Sequence, residues 1–295
     1  MAVRTIVQTE RRQSAGEQRQ QAVAYARAAG ASLAVAAAAA GLAFFASGLA
    51  PDTATIPLFQ RDQWAFWLGG VGLAVLAGVL VTLVAPRPRP PALEVGPPVE
   101  APPAELPVAP LLPAVAAFGA ALLISVYHDR ATIIAAPVVL YLLLCGITMA
   151  QYHLTDEVGR VRRLAQTAHV LLTHAVAFLV LATVYINKVR SLLSATTVAV
   201  LVFLLLLQLT AGAQYPAERR LIYALVGAVT LGEITWALNY WPLTGWTGGA
   251  LLLIAFYFLA GLMVAQVREG VTRRDLLEYG GISALAFVIV ALSLR

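Results

Sequence analysis

Nine long runs of apolar residues decide what this chain can fold into. A helix that crosses a bilayer needs about 20 mostly apolar residues, because the hydrocarbon core is about 30 Å thick. Of the 295 residues, 60% are hydrophobic and 12% are charged, whereas a soluble domain has about 25% charged residues. The sequence therefore predicts an all-α fold, a polytopic transmembrane helical bundle of about nine spans. The nine runs are Ala28–Leu49, Trp64–Val84, Leu111–Tyr127, Thr132–Tyr152, Ala168–Ile186, Ser191–Ala213, Leu221–Tyr240, Thr247–Val267 and Leu276–Leu294.

The first run raises the question of a cleaved signal peptide. The apolar core of a signal peptide has about 7–15 residues and lies close to the N-terminus. Here the run is longer and 27 residues precede it. Both features favour a retained helix, and cleavage would leave eight spans.

The basic residues predict the orientation of the chain. With a cytoplasmic N-terminus, the cytoplasmic segments contain 15 of the 20 lysines and arginines, and the outer segments contain five. This distribution follows the positive-inside rule. Nineteen of the 20 are arginine, a bias typical of a GC-rich bacterial genome. We therefore expect a protein of the cytoplasmic (inner) membrane with its C-terminus outside. Nucleic acid is not an expected partner, because the positive charge is spread over many short loops.

A proline-rich segment divides the chain. Ten of the 25 residues from Pro86 to Pro110 are prolines, which fix φ, lack the amide hydrogen and favour an extended chain. Four regions follow: a basic cytoplasmic segment (1–27), a two-helix hairpin (28–84), a cytoplasmic Pro-rich linker (85–110) and a seven-helix unit (111–295). The simplest interpretation of the linker is a spacer, and the alternative is a docking segment for a partner.

Small residues on the second predicted helix indicate close helix packing. Gly70, Ala74 and Gly78 follow one another at intervals of four, a spacing that lets a second backbone approach. The alanine-rich first helix is the expected neighbour. Self-association, or contact with a protein partner, is the alternative use of this face, and membrane lipid is the other expected partner.

Glu233 is the one ionisable residue that lies well inside a predicted span. A charged side chain within hydrocarbon costs at least about 2.5 kcal/mol on insertion scales, so it needs an explanation. Trp236 and Tyr240 share its helical face. Such a carboxylate can bind a cation, relay a proton or hold a polar headgroup. The alternative is a hydrogen-bonded residue between packed helices.

Three polar residues join the third and fourth predicted helices on the outer side. They are His128, Asp129 and Arg130, which together can act as acid, base and anion anchor. They are also ordinary residues of an interfacial loop. If the third and seventh helices are neighbours, these residues and Glu233 share one outward-facing pocket.

Four further side chains are expected to make polar contacts between helices. His174 and Gln208 both fall in the inner part of the membrane, and we expect a hydrogen bond between them. Tyr141 and Cys145 lie on one face of the fourth helix and line either a pocket or a packed seam. Cys145 is the only cysteine, which excludes an internal disulfide and a cysteine-based metal cluster. No metal or other cofactor is predicted.

These features favour a non-catalytic membrane protein over an enzyme. No phosphate-binding glycine loop, HExxH motif or nucleophile elbow is present. The leading hypothesis is a binding, carrier or complex-subunit protein with a polar pocket near the outer leaflet. One alternative is a membrane enzyme that acts on a lipid or lipid-linked substrate, and another is a scaffold that recruits a partner through its linker.

Overall fold

The described part of the chain is entirely helical. The computed structural model describes residues 2–49, 55–59, 63–84, 108–127, 129–154, 159–187, 191–210, 216–268 and 270–293, with the backbone alone at 2–17, 20 and 191. These residues form nine helices and no strand. The helices are α1 (Ala2–Leu49), α2 (Trp64–Val84), α3 (Leu111–Val126), α4 (Arg130–Leu154), α5 (Arg160–Ile186), α6 (Ser191–Leu209), α7 (Ala217–Leu238), α8 (Gly245–Arg268) and α9 (Arg273–Leu292).

Within the described residues, eight helices are long and apolar enough to cross a membrane, which agrees with the predicted class of fold. The exception is α3, whose 16 residues extend about 24 Å at the helical rise of 1.5 Å. The Pro-rich linker was predicted for residues 85–110, and its residues 85–107 lie outside those that the structure describes.

The short helix α3 lies at the centre of the bundle. Thirteen of its 16 residues are buried, and α1, α2, α4, α5 and α6 all pack against it. Its alanines and glycine permit this close approach. A Cβ added at Gly119, for example, would lie 2.9 Å from Cγ1 of Val180. A helix enclosed by protein does not have to match the thickness of a bilayer.

Consecutive helices pack against each other, so the chain runs up and down through the bundle. We call the end that contains Ile56, Ser125 and Asn187 the upper end, and the end that contains Ala109 and Gln151 the lower end. At the upper end the Ile56 amide donates to the Ser125 carbonyl at 2.7 Å. At the lower end the Gln151 side chain donates to the Ala109 carbonyl at 3.0 Å. These contacts join the segment before α2 to the end of α3, and the segment before α3 to the end of α4.

The helix ends differ from the apolar runs mainly where charged residues extend a helix. The helix α2 has the predicted bounds, but α5 begins at Arg160 rather than Ala168. Arg160, Arg162 and Arg163 form its first turn and continue the helix beyond its apolar part. The basic N-terminal segment likewise belongs to α1, which continues without a break into the first span.

Candidate functional site

A lateral groove opens between α2 and α6, with α3 as its floor. Its volume is about 710 Å³, within the range of about 300–1,000 Å³ that is typical of small-molecule sites. It exists because α2 and α6 both pack on α3 but leave a gap between them. The lining residues are Phe59, Val71, Ala74, Val75, Gly78, Val79, Thr82, Pro110, Leu111, Ala114, Val115, Phe118, Leu193, Thr196, Thr197, Val200, Leu201 and Leu204.

The groove wall offers almost no polar chemistry. Its polar side chains are three threonines, Thr82, Thr196 and Thr197. The Thr82 hydroxyl donates to the Val79 carbonyl at 2.6 Å, and the Thr196 hydroxyl donates to the Leu192 carbonyl at 2.9 Å. These bonds stay within each threonine's own helix. A ligand in the groove therefore meets mainly hydrocarbon.

The small-residue face of α2 packs on α3, whereas the expected neighbour was α1. A Cβ on Gly70 would lie 3.1 Å from the Ala121 side chain. A Cβ on Gly78 would lie 3.3 Å from Pro110, at the start of α3. Ala74, between them, lines the groove. Gly70 and Gly78 are buried, whereas Ala74 is half-buried beside the groove. The helix α1 meets α2 through other residues, including Gly69, whose added Cβ would lie 2.8 Å from the Leu42 side chain.

Glu233 lies on a face of α7 that points away from the bundle. We call Ile222, Val226, Val229, Glu233 and Trp236 the Glu233 face, and all five side chains are exposed. Tyr240, just beyond the helix, is exposed as well.

In the described part of the chain Glu233 has neither a hydrogen bond nor an ion pair. It lies five residues, about 8 Å, before the C-terminal end of the helix. A charged group at that depth in a bilayer costs up to about 3 kcal/mol unless it is protonated or paired.

The structure does not bring the predicted outer pocket together. His128 lies outside the described residues. Asp129 is exposed, and its Oδ1 accepts a hydrogen bond from the Thr132 amide at 3.0 Å, which caps the start of α4. Arg130 is also exposed. The helices α3 and α7 are separated by α6, which packs on both, so Glu233 does not approach Asp129 or Arg130.

The inner polar residues form a different pair from the expected one. Gln208 Nε2 lies 3.3 Å from His169 Nε2, and both side chains are buried. Gln208 thus contacts another helix, but its partner is His169 rather than His174. His174 instead places its Nδ1 2.8 Å from the Val170 carbonyl and packs edge-on against the Phe256 ring. Histidines five residues apart point in different directions, which is why only one of them reaches α6.

Tyr141 and Cys145 lie one turn apart on the same face of α4. Both residues are half-buried. Among the described residues, no group of three or more His, Cys, Asp or Glu side chains is arranged to hold a metal ion.

A comparison with protein families places the chain in one of them. The family DUF5656, described as "Protein of unknown function", matches residues 55–293. The chain belongs to DUF5656. Comparison with curated proteins found no match, and neither did comparison with solved structures.

The DUF5656 region contains both walls of the groove and the Glu233 face, but it begins after α1.

The first residues of the DUF5656 region take part in a buried polar contact at the upper end. Asn187 Nδ2 donates to the Ile56 carbonyl at 3.1 Å and to the Ser125 hydroxyl at 3.0 Å. Asn187 comes directly after the run Ala168–Ile186, a position that does not by itself indicate whether its side chain is buried.

Proposed function

We propose that this protein is a non-catalytic membrane protein that binds a single hydrocarbon chain of a lipid in the lateral groove. The observation that carries the proposal is the composition of the groove wall, in which all the side chains except the three threonines are apolar. A ligand held there gains free energy by burying apolar surface, at about 25 cal/mol per Å². The wall provides no ion pair to orient a polar substrate.

The dimensions of the groove support a lipid chain as the ligand. The lining residues of α2 run from Val71 to Thr82, and those of α6 run from Leu193 to Leu204. Each stretch extends about 16 Å along its helix. That is close to one leaflet, which is half of a hydrocarbon core about 30 Å thick. The groove opens to the side, where lipid chains surround a membrane protein.

A binding role is favoured over catalysis because the charged residues lie away from the groove. Asp129 caps α4, and Glu233 lies on the opposite side of α6 from α3.

The arginine distribution favours a cytoplasmic N-terminus. In that orientation the upper end of the bundle faces outside, and the protein lies in the cytoplasmic membrane.

Filling the groove is expected to reduce lipid labelling strongly. We expect a phospholipid with a photoreactive group in its acyl chain to label peptides from α2 and α6, at Val71–Thr82 and Leu193–Leu204. Val200→Trp should lower this labelling by about tenfold or more, because losing room for two methylene groups costs about 1.6 kcal/mol. The measurement is mass spectrometry of the labelled peptides from native membranes.

A matched variant controls for the added indole. Val200 is 59% exposed and Val288, on α9, is 51% exposed. Val288→Trp should leave labelling of α2 and α6 unchanged. Uniform labelling of all exposed helices, or equal labelling in the two variants, would contradict a specific lipid-binding groove.

A further inference from the structure

The Glu233 face has the spacing of a helix-pairing seam. Its members Ile222, Val226, Val229, Glu233 and Trp236 follow one another at intervals of four, three, four and three. This is the spacing of the positions that interlock in left-handed helix pairs. All five side chains are exposed.

The opposite face of α7 is fully occupied within the bundle. It packs on α6 through small residues. A Cβ on Gly227 would lie 2.7 Å from the Leu206 side chain, and one on Gly232 would lie 3.1 Å from the Ala195 carbonyl oxygen. Close contact on one side fixes the rotation of the helix. The Glu233 face must therefore point outward.

Apolar side chains on an outward face need no partner in a membrane, but Glu233 does. In the described part of the chain no residue hydrogen-bonds to it. Polar side chains in hydrocarbon associate with other helices through hydrogen bonds. The occupant of this face must therefore offer a hydrogen-bonding group at the depth of Glu233.

We propose that the Glu233 face pairs with the same face of a second copy of this chain, and that the two Glu233 carboxyl groups hydrogen-bond to each other. Two copies in one membrane have the same orientation, so a two-fold axis along the membrane normal places each residue of the face opposite itself. A protonated carboxyl group donates one hydrogen bond and also accepts, which makes the pair self-complementary.

The distribution of basic residues supports a carboxyl pair over an ion pair between copies. In the described helices, arginines lie outside the apolar runs, for example Arg27, Arg130, Arg160, Arg268 and Arg273. None of the described arginines lies at the depth of Glu233 in the middle of an outward face. A second copy therefore offers Glu233 a carboxyl group rather than a cation. The Glu233 face and the lateral groove involve different helices, so the two proposals stand independently.

Cysteine cross-linking in membranes tests the pairing. In a Cys145→Ser background, Val226→Cys and Val229→Cys should each form a disulfide-linked dimer on mild oxidation. Val288→Cys is the matched control, because Val288 is 51% exposed and Val226 is 59% exposed, while Val288 lies on α9 rather than on α7. Val288→Cys should not cross-link.

Substitution of Glu233 tests the carboxyl pair itself. Adding Glu233→Leu to Val226→Cys should raise the dissociation constant of the dimer about 3- to 20-fold, the range expected for one hydrogen bond between helices in a membrane. Glu233→Gln keeps a donor and an acceptor and should preserve the dimer. Three results would overturn the proposal: no cross-link at Val226 or Val229, equal cross-linking at Val288, or an unchanged dimer in Glu233→Leu.

Discussion

Gly249→Ala is expected to prevent the native packing of α8 on α5. A Cβ at Gly249 would lie 2.5 Å from both Cα and Cβ of Ala182. The first of these is a backbone atom, so no change of rotamer removes the clash, and the two helices must move apart. Neighbouring glycines make the same close approach, because a Cβ on Gly248 or Gly245 would run into the side chains of Tyr185 and Ile186. Overpacking of this kind costs about 3 kcal/mol or more.

The sign of the effect distinguishes this clash from ordinary helix propensity. Glycine to alanine in an exposed helix stabilises by about 1 kcal/mol. Gly281 on α9 is exposed, and an added Cβ there would meet nothing within 4 Å, so Gly281→Ala is the control. We expect Gly249→Ala to lower the midpoint of thermal unfolding in detergent and Gly281→Ala to keep or raise it. Equal midpoints would show that α5 and α8 are not in close contact.

The number and approximate position of the helices followed from the sequence because membrane insertion depends on local apolar length. The bounds of α2 were predicted as they stand, and the run that contains α3, Leu111–Tyr127, is the shortest of the nine. The length of an apolar run does not indicate which other helices pack against it. Gly70 and Gly78 correctly marked a packing face, but the residues that receive it, Ala121 and Pro110, belong to α3 rather than α1.

The position of Glu233 shows the same limit. The sequence of α7 itself indicates which side of the helix is buried. Gly227 and Gly232 lie away from Glu233 around the helix and mark the side that packs on α6. Reading those glycines together with Glu233 would have predicted an outward carboxylate. The groove had no such signal. It arises from a gap between α2 and α6, which are far apart in sequence. The residue pattern of either helix alone does not show that its neighbour in the fold leaves a gap.

Asn187→Ala is expected to destabilise the upper end of the bundle by about 2–4 kcal/mol. Asn187 is 4% exposed, and its amide group donates to the Ile56 carbonyl and to the Ser125 hydroxyl. These bonds tie the segment before α2 to the ends of α3 and α5. Alanine leaves the Ile56 carbonyl buried without this donor, and a buried polar group that loses its partner costs about 1–3 kcal/mol. A cavity adds to the loss.

Asn239 provides the matched control for Asn187. Each asparagine is the residue that ends its helix, Asn187 after α5 and Asn239 after α7. The side chain of Asn239 has no hydrogen-bond partner in the described part of the chain. Asn239→Ala should therefore leave the thermal midpoint in detergent nearly unchanged, while Asn187→Ala lowers it by roughly 10 °C. Asn187→Asp has almost the same shape but turns a carboxylate oxygen toward the Ile56 carbonyl, and the repulsion should make it at least as destabilising as alanine. If the aspartate variant were as stable as the wild type, the donor role of Asn187 would be wrong, because only the amide nitrogen can satisfy both acceptors.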